Sequence, residues 1–152
     1  MKKVLVLLVF VFIMLQFFQI DKTNPPVNKG VDFLSVKNPP ENIATNIRNA
    51  CYDCHSNETK YPWYSTVQPV AWLLKNHIDE GRRELNFSTF ATYEPKRQAR
   101  KLEESAEMIE NGKMPMDSYL ITHADARLSD AQKAELVNYF KEMSRETSSA
   151  NY

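Results

Sequence analysis

The stretch Cys51-Tyr52-Asp53-Cys54-His55 uses both cysteines and one of the three histidines of this 152-residue chain. Two cysteines three positions apart, followed directly by a histidine, form the C-x-x-C-H pattern that attaches c-type haem. In such a site each thiol forms a thioether with a haem vinyl group, and the imidazole binds the iron. The motif therefore predicts haem c as the cofactor, with Cys51 and Cys54 holding it covalently and His55 as the proximal iron ligand.

Three other interpretations of the motif stay open. A thioredoxin-like redox pair requires a βαβ setting, which the sequence does not show. A structural zinc site requires four ligands, so His77 or His123 would have to join at an unconventional spacing. A disulfide between Cys51 and Cys54 would close a very short loop and leave His55 without a role. Haem attachment explains all three motif residues, and it is our leading hypothesis.

The N-terminus combines a basic start with an apolar run. Lys2 and Lys3 precede residues 4–20, which are apolar except for two glutamines. The run approaches the ~20 residues needed to cross a bilayer, and its bulky end offers no small-x-small cleavage site. It predicts an uncleaved signal anchor over residues 1–20, a transmembrane helix that contacts the lipid bilayer through residues 4–20. A cleaved signal peptide is the alternative.

The basic start also predicts the orientation of the chain. The positive-inside rule places the two lysines in the cytoplasm and residues 21–152 on the periplasmic side of the inner membrane. Covalent haem attachment in bacteria also takes place outside the cytoplasm, so the topology and the motif agree. The chain carries 19 basic and 19 acidic residues, a balance that provides no basic surface for nucleic acid.

Helix signals dominate the exported part, and no strand alternation is visible. The prolines of residues 21–39 predict an extended tether, with a short apolar patch at 31–36 that can pack back on the domain. A folded domain is expected over residues 40–143, followed by a polar tail over 144–152. We predict an all-α, cytochrome c-like domain of about four helices around the haem. The helices are expected over 41–51, from Pro69 to near Gly81, over 95–110 before Asn111-Gly112, and after the capping box Ser129-x-x-Gln132.

Several blocks around the motif are similar to one known family. They are NACYDCHSN (49–57), YPWY (61–64), PVAW (69–72), GR (81–82), LNFS (85–88), KMPMDSY (113–119) and LSD (128–130). In these blocks the chain resembles the bacterial haem-binding domain family of single-haem proteins. The similarity covers roughly residues 40–143, and the YPWY and LNFS blocks are more specific than the haem motif. The resemblance implies c-type haem binding and says little about physiological role.

An electron-transfer cytochrome needs a second iron ligand opposite His55, and Met or His usually provides it. Met114 is the leading candidate, because it lies between Gly112 and Pro115 in a loop before the last helix. Small c-type cytochromes resemble this arrangement. The alternatives are Met116 in the same loop, His77 on the apolar face of the second helix, His123 before the last helix, and an open sixth position.

Aromatic residues cluster after the motif. Tyr61, Trp63 and Trp72 are expected to surround the haem with apolar surface. Arg82 is expected to pair with a haem propionate, since a guanidinium group binds a carboxylate with two parallel hydrogen bonds.

Together these features predict a membrane-anchored, single-haem c-type cytochrome that carries one electron between redox partner proteins, either membrane-bound or periplasmic. No nucleophile–base pair, carboxylate dyad or phosphate-binding glycine loop is visible, so we do not expect an enzyme. The alternatives are a haem-based sensor that exchanges its sixth ligand for a small gas, and a peroxidase-like haem enzyme with an open sixth position.

Overall fold

The computed structural model describes residues 1–149, and within that range it contains eight α-helices and no strand. This confirms the predicted all-α class. Three short 3-10 helices lie at Trp63–Thr66, Phe87–Thr92 and Ala124–Ala126. The α-helices are α1 (Lys2–Leu15), α2 (Phe33–Lys37), α3 (Glu41–Ala50), α4 (Tyr52–His55), α5 (Val70–Glu84), α6 (Pro95–Glu110), α7 (Asp117–Leu120) and α8 (Asp130–Ser149).

The four helices expected from the sequence are α3, α5, α6 and α8. α6 begins at Pro95, because the missing N–H of proline costs nothing in a first helical turn. It ends before Gly112, which adopts the left-handed conformation at φ 65°. The amides of Lys113 and Met114 then donate to the Met108 carbonyl at 2.9 and 3.1 Å. The predicted glycine cap is confirmed, and it turns the chain into the loop that carries Met114.

The capping box at the start of α8 is also confirmed. The Ser129 amide donates to Gln132 Oε1 at 2.8 Å, and the Gln132 amide donates to Ser129 Oγ at 3.3 Å. α8 continues past residue 143 to Ser149, into the predicted polar tail, because its last turns pack on α6. Ser144 is buried there and donates from Oγ to the Ala99 carbonyl at 2.8 Å. Residues 150–152 of that tail lie outside the described residues.

The core is an aromatic cluster around Phe33, a residue of the predicted tether. The ring of Phe33 is fully buried, and its centroid lies 5.1 Å from that of Phe87, 4.9 Å from Phe90 and 6.1 Å from Phe140. Tyr52 stacks on Phe87 at 5.5 Å with an interplanar angle of 10°. The cluster therefore connects the segment before the domain with α8 and with the C-x-x-C-H motif.

Residues 21–39 pack along the domain, whereas the sequence predicted an extended tether. Asp32 is 1% exposed, caps α2 through its side chain, and accepts the Tyr52 hydroxyl at 3.1 Å. Asn24 donates to a carbonyl of the loop that follows the motif, at 2.9 Å. The prolines do keep residues 21–28 non-helical. The amino-acid composition of this segment did not predict that polar side chains such as Asn24 form hydrogen bonds to the domain.

The apolar N-terminus forms a shorter helix than predicted. α1 covers 14 residues and buries none of them, so its axis is ~21 Å long at 1.5 Å per residue, compared with ~30 Å of bilayer hydrocarbon. Within residues 1–149 no helix is both long enough and apolar enough to cross a membrane. The predicted transmembrane helix over residues 4–20 is therefore not supported by the structure.

Truncating Phe33 tests whether the segment before the domain is part of the core. We expect Phe33→Ala to lower the free energy of unfolding by about 3–5 kcal/mol, because it removes a ring from the centre of a packed cluster. Urea denaturation followed by circular dichroism measures this. Val36→Ala, in the same helix but 42% exposed, is the matched control and should cost less than about 1 kcal/mol. Equal midpoints for the two variants would show that the segment does not stabilise the core.

Candidate functional site

The C-x-x-C-H motif forms α4 and the residue before it. Cys51 ends α3, and its carbonyl accepts the amides of Cys54 at 3.2 Å and His55 at 2.9 Å. Positions i, i+3 and i+4 of a helical turn lie on one side, so the two thiols and the imidazole face the same way. Tyr52, one position after the first cysteine, points to the opposite side, into the aromatic core.

The two thiols and the imidazole face a cavity of about 280 Å³ between α4, α5, α6 and residues 114–116. α8 and the end of α3 also contribute to its lining. Apolar pockets with a few converging polar groups are typical of cofactor sites. The apolar side chains around this one include Ala50, Leu85, Phe87, Ile109, Leu128 and Phe140.

His55 is in the form that binds a metal. Its Nδ1 lies 3.1 Å from the Leu85 carbonyl. Since a carbonyl oxygen only accepts hydrogen bonds, Nδ1 carries the proton and Nε2 carries the free lone pair. Burial lowers the pKa of the His55 imidazole below its ordinary value, which keeps the ring neutral. A neutral imidazole oriented through its other nitrogen is the usual form of a metal-ligating histidine.

The two thiols are free and protonated. Cys51 and Cys54 form no disulfide. Burial raises the pKa of Cys51 to about 12 and that of Cys54 to about 11. Thioredoxin-like C-x-x-C sites depend on a lowered thiol pKa, so the surroundings of these cysteines are unlike those of a redox pair. In the described part of the chain, no group of three or more His, Cys, Asp or Glu side chains is placed to hold a metal ion. The structure thus gives the zinc interpretation no support.

α5 contacts α4 closely because residue 81 is glycine. A Cβ at Gly81 would lie 2.7 Å from the Cys54 carbonyl oxygen, closer than real Cβ atoms approach backbone. The amide of Leu85 donates to the Gly81 carbonyl at 2.9 Å, so the same helix turn also places the carbonyl that orients His55. Gly81 is thus a positioning residue for the motif.

Three of the four predicted distal ligands line the cavity. Met114 and Met116 reach it from the loop after α6, and His77 reaches it from α5. Met108 lines it as well. The sequence did not single out Met108, because its spacing places it off the apolar stripe of α6. In the structure Met108 lies in the last turns of that helix and is 41% exposed.

The fourth candidate, His123, does not line the cavity and stacks instead on Tyr119, which does. The two rings are 3.9 Å apart with an interplanar angle of 13°, and His123 Nδ1 lies 3.0 Å from the Tyr119 carbonyl. The Tyr119 hydroxyl donates to Asp53 Oδ2 at 2.7 Å. Tyr119 and Asp53 form a hydrogen-bonded pair at the cavity that motif spacing alone did not reveal.

The aromatic residues predicted to surround the cofactor lie away from the cavity. Trp63 is 78% exposed on its 3-10 helix, and the Trp72 indole N–H donates to the Phe18 carbonyl at 3.0 Å. Tyr61 has a buried hydroxyl and also lies outside the lining. These residues are close to the motif in sequence, but that does not determine whether their rings point toward the cavity. The aromatic residues that line the cavity are Phe87, Tyr119 and Phe140.

Arg82 likewise lies outside the cavity lining. Its Nε donates to the Ser56 carbonyl at 2.8 Å, and its Nη2 donates to Asn24 Oδ1 at 2.8 Å and Thr59 Oγ1 at 2.9 Å. Arg82 therefore bonds the N-terminal segment to the loop after the motif. Among the described residues, the lysine or arginine that does line the cavity is Lys101, which is only 9% exposed. The carboxylates of Asp53, Glu80, Glu84 and Glu104 line it as well.

Two thiols, a neutral imidazole and methionine sulfurs in a mostly apolar cavity are a donor set that fits haem. The fold and the site are those of a small all-α haem protein. The chain matches the family model described as Haem-binding domain over residues 10–142, and it belongs to that family. The match also includes residues 10–39, which precede the blocks that resemble the family. No curated protein matches the chain, and no solved structure does.

Substituting Gly81 tests the close contact between α5 and α4. We expect Gly81→Ala to lower the free energy of unfolding by about 1–3 kcal/mol, since the added methyl group forces the Cys54 carbonyl to move. It should also reduce the haem retained per protein, because the Leu85 carbonyl is displaced from His55. Urea denaturation and the haem-to-protein absorbance ratio measure the two effects.

Gly30→Ala is the matched control for Gly81→Ala. An added Cβ at Gly30 meets the side-chain oxygen of Asn28, at 3.2 Å. That exposed side chain can shift slightly while it still accepts the Gly30 amide, which it does at 2.9 Å. The control should keep wild-type stability and haem content. A Gly81→Ala protein indistinguishable from Gly30→Ala would contradict the positioning role of Gly81.

Proposed function

We propose that the protein is a single-haem c-type cytochrome that carries one electron between partner proteins. The proposal rests on one observation, the placement of Cys51, Cys54 and His55 on the same side of one helical turn, facing one cavity. Membership of the haem-binding domain family supports haem binding. Covalent attachment and electron transfer are the steps that the proposal adds.

Each residue of the motif has a defined role in the proposal. Cys51 and Cys54 each add a sulfur and a proton across a haem vinyl double bond, which forms a thioether without net oxidation or reduction. His55 binds the iron through Nε2, held in place by the hydrogen bond from Nδ1 to the Leu85 carbonyl. When bound, the haem iron supplies one-electron chemistry by alternating between its ferric and ferrous states.

We propose Met114 as the sixth iron ligand. The Met108 carbonyl accepts the amides of Lys113 and Met114, and this hydrogen bonding holds the loop against the end of α6. A methionine thioether paired with histidine raises the reduction potential of haem iron, which suits an electron carrier. Met116 and His77 line the same cavity and are the alternatives that the experiment must separate.

Lys101 takes the role that the sequence assigned to Arg82, the pairing with a haem propionate. Its Nζ forms ion pairs with Glu84 at 3.3 Å and Glu104 at 2.7 Å. Those two carboxylate side chains are 61% and 41% exposed, whereas the Lys101 side chain is 10% exposed. The carboxylates can rotate into solvent and leave the buried ammonium group to an anionic propionate.

We also propose that the chain is exported, with the haem-binding domain on the periplasmic side and residues 4–20 in contact with the bilayer. The basic pair Lys2-Lys3 and the exposure of α1 support this. Each side chain from residue 4 to residue 14 is apolar and between 40% and 68% exposed. The redox partners would then be membrane-bound or periplasmic proteins.

Haem staining of denatured protein tests covalent attachment. We expect the full chain, produced together with a haem-attachment system, to keep its haem after denaturation, because thioether bonds survive unfolding. The double variant Cys51→Ala/Cys54→Ala should lose the stain while circular dichroism still reports a helical protein. Haem that leaves the wild-type chain on denaturation would show non-covalent binding and contradict the c-type assignment.

Absorption spectra of methionine variants test the distal ligand. We expect Met114→Ala to lose the weak far-red band of methionine-ligated ferric haem and to lower the reduction potential, since the thioether no longer binds the iron. Met116→Ala is the matched control and should keep both properties. Loss of the band in Met116→Ala alone would make the assignment of Met114 wrong. Rapid carbon monoxide binding by reduced wild-type protein would favour a sensor or a peroxidase-like enzyme instead.

A further inference from the structure

The end of α1 is hydrogen-bonded to the haem-binding domain. Gln16 accepts the Gln68 amide on Oε1 at 2.9 Å and donates from Nε2 to the Gln68 carbonyl at 3.2 Å. Gln19 donates from Nε2 to the Thr66 carbonyl at 3.1 Å. These two glutamines are the polar residues that interrupt the apolar run 4–20. Their positions are explained by the backbone of residues 66–68, which they satisfy.

Exposed apolar side chains surround the place where the end of α1 meets residues 66–68. Trp72 donates its indole N–H to the Phe18 carbonyl at 3.0 Å, so the start of α5 lies against the end of the apolar run. Large apolar side chains on both segments remain exposed to solvent. We call this surface the junction patch; its residues are Phe17 (76% exposed), Phe18 (66%), Val70 (45%), Trp72 (39%) and Leu73 (57%).

The chain between α1 and α3 leaves little free length for the domain to move away from α1. Asn57 donates to the Pro26 carbonyl at 3.0 Å, and Asn24 accepts from Arg82 at 2.8 Å. Phe33 is then buried in the core. The position of the domain relative to the end of α1 is therefore defined by hydrogen bonds and packing.

We propose that the junction patch is a lipid-binding surface, which together with α1 holds the haem-binding domain directly on the bilayer in one orientation. This inference rests on the bilayer contact proposed above for residues 4–20. It adds a specific surface of the domain, and it replaces the predicted extended tether with a fixed attachment.

Lipid explains the exposure of α1 better than a protein partner does. Side chains from residue 4 to residue 14 are exposed on every side of the helix, and α1 buries none of its residues. A protein partner covers one face of a helix, whereas acyl chains surround it. Trp side chains are enriched where a bilayer meets water, and Trp72 lies at the end of α1 opposite Lys2. A surface that is hydrogen-bonded to a lipid-contacting helix is held against the same bilayer.

The attachment would also define where the cofactor lies relative to the membrane. Trp72 and Gly81 are both on α5, and Gly81 contacts the motif. Gly81 follows Trp72 by nine positions, which is roughly 14 Å along the helix axis. The cavity would therefore face partners at a defined height above the bilayer surface.

Tryptophan fluorescence tests the inference directly, since the chain has two tryptophans. Trp63→Phe leaves Trp72 as the single reporter. The full chain is reconstituted into phosphatidylethanolamine–phosphatidylglycerol vesicles, with or without bromine on the acyl chains near the headgroups. We expect bromine to lower Trp72 emission severalfold, because contact with bromine quenches the indole. A haem attached at the motif also quenches Trp72, so the two kinds of vesicle are compared at equal haem content.

Removing the glutamine hydrogen bonds tests whether the domain itself is held on the bilayer or whether α1 alone binds lipid. Gln16→Ala/Gln19→Ala in the Trp63→Phe background should keep the protein on the vesicles, as measured by flotation, and should lose most of the bromine quenching. Gln98→Ala is the matched control and should leave the quenching unchanged. Gln98 lies on α6, and its side chain donates to the Tyr93 carbonyl at 2.8 Å.

Three results would overturn the inference. The chain could fail to float with vesicles, it could float with Trp72 unquenched, or the glutamine variant could be quenched as strongly as its control. The junction patch would instead bind a second copy of the chain under two conditions. Trp72 emission in detergent would shift as protein concentration rises and dimers form, and Trp72 would remain unquenched in vesicles. Haem staining decides the proposed function separately, so the two failures are distinguishable.

Discussion

The whole site depends on one helical turn that is held from both sides. On the cavity side, α4 and the residue before it present Cys51, Cys54 and His55, because residues at i, i+3 and i+4 share a face. On the other side Tyr52 stacks on Phe87 and bonds a buried carboxylate, so the turn cannot rotate without breaking the aromatic core. The close approach of α5 then orients the imidazole. A four-residue helix has little stability of its own, and these contacts keep the turn formed.

The segment before the predicted domain, residues 21–39, also supports that turn. The buried carboxylate is Asp32, and its neighbour Phe33 lies at the centre of the aromatic cluster. The same segment leads back to the glutamine contacts at the end of α1. The end of α1, the aromatic core and the cofactor site are thereby connected through one continuous stretch of chain. The family match, which begins at residue 10, includes this stretch.

Local features of the sequence were predictive wherever a few neighbouring residues decide the structure. Pro95 starts α6, Gly112 ends it, and Ser129 with Gln132 starts α8, because helix ends are determined by the hydrogen-bonding needs of one turn. The side of the chain on which an isolated residue lies was not predictable in this way. Arg82 was expected at the cofactor and instead bonds the N-terminal segment.

By itself the sequence determined the all-α class, the main helices and the identity of the three motif residues, since these follow from spacing within a turn or two. Only the tertiary structure decided which distant residues surround the motif. Lys101 and Tyr119 line the cavity while Trp63 and His123 do not, and Asp32 and Phe33 of the predicted tether are buried in the core. Burial depends on how helices far apart in the chain pack together, and the spacing of residues within one helix does not specify that packing.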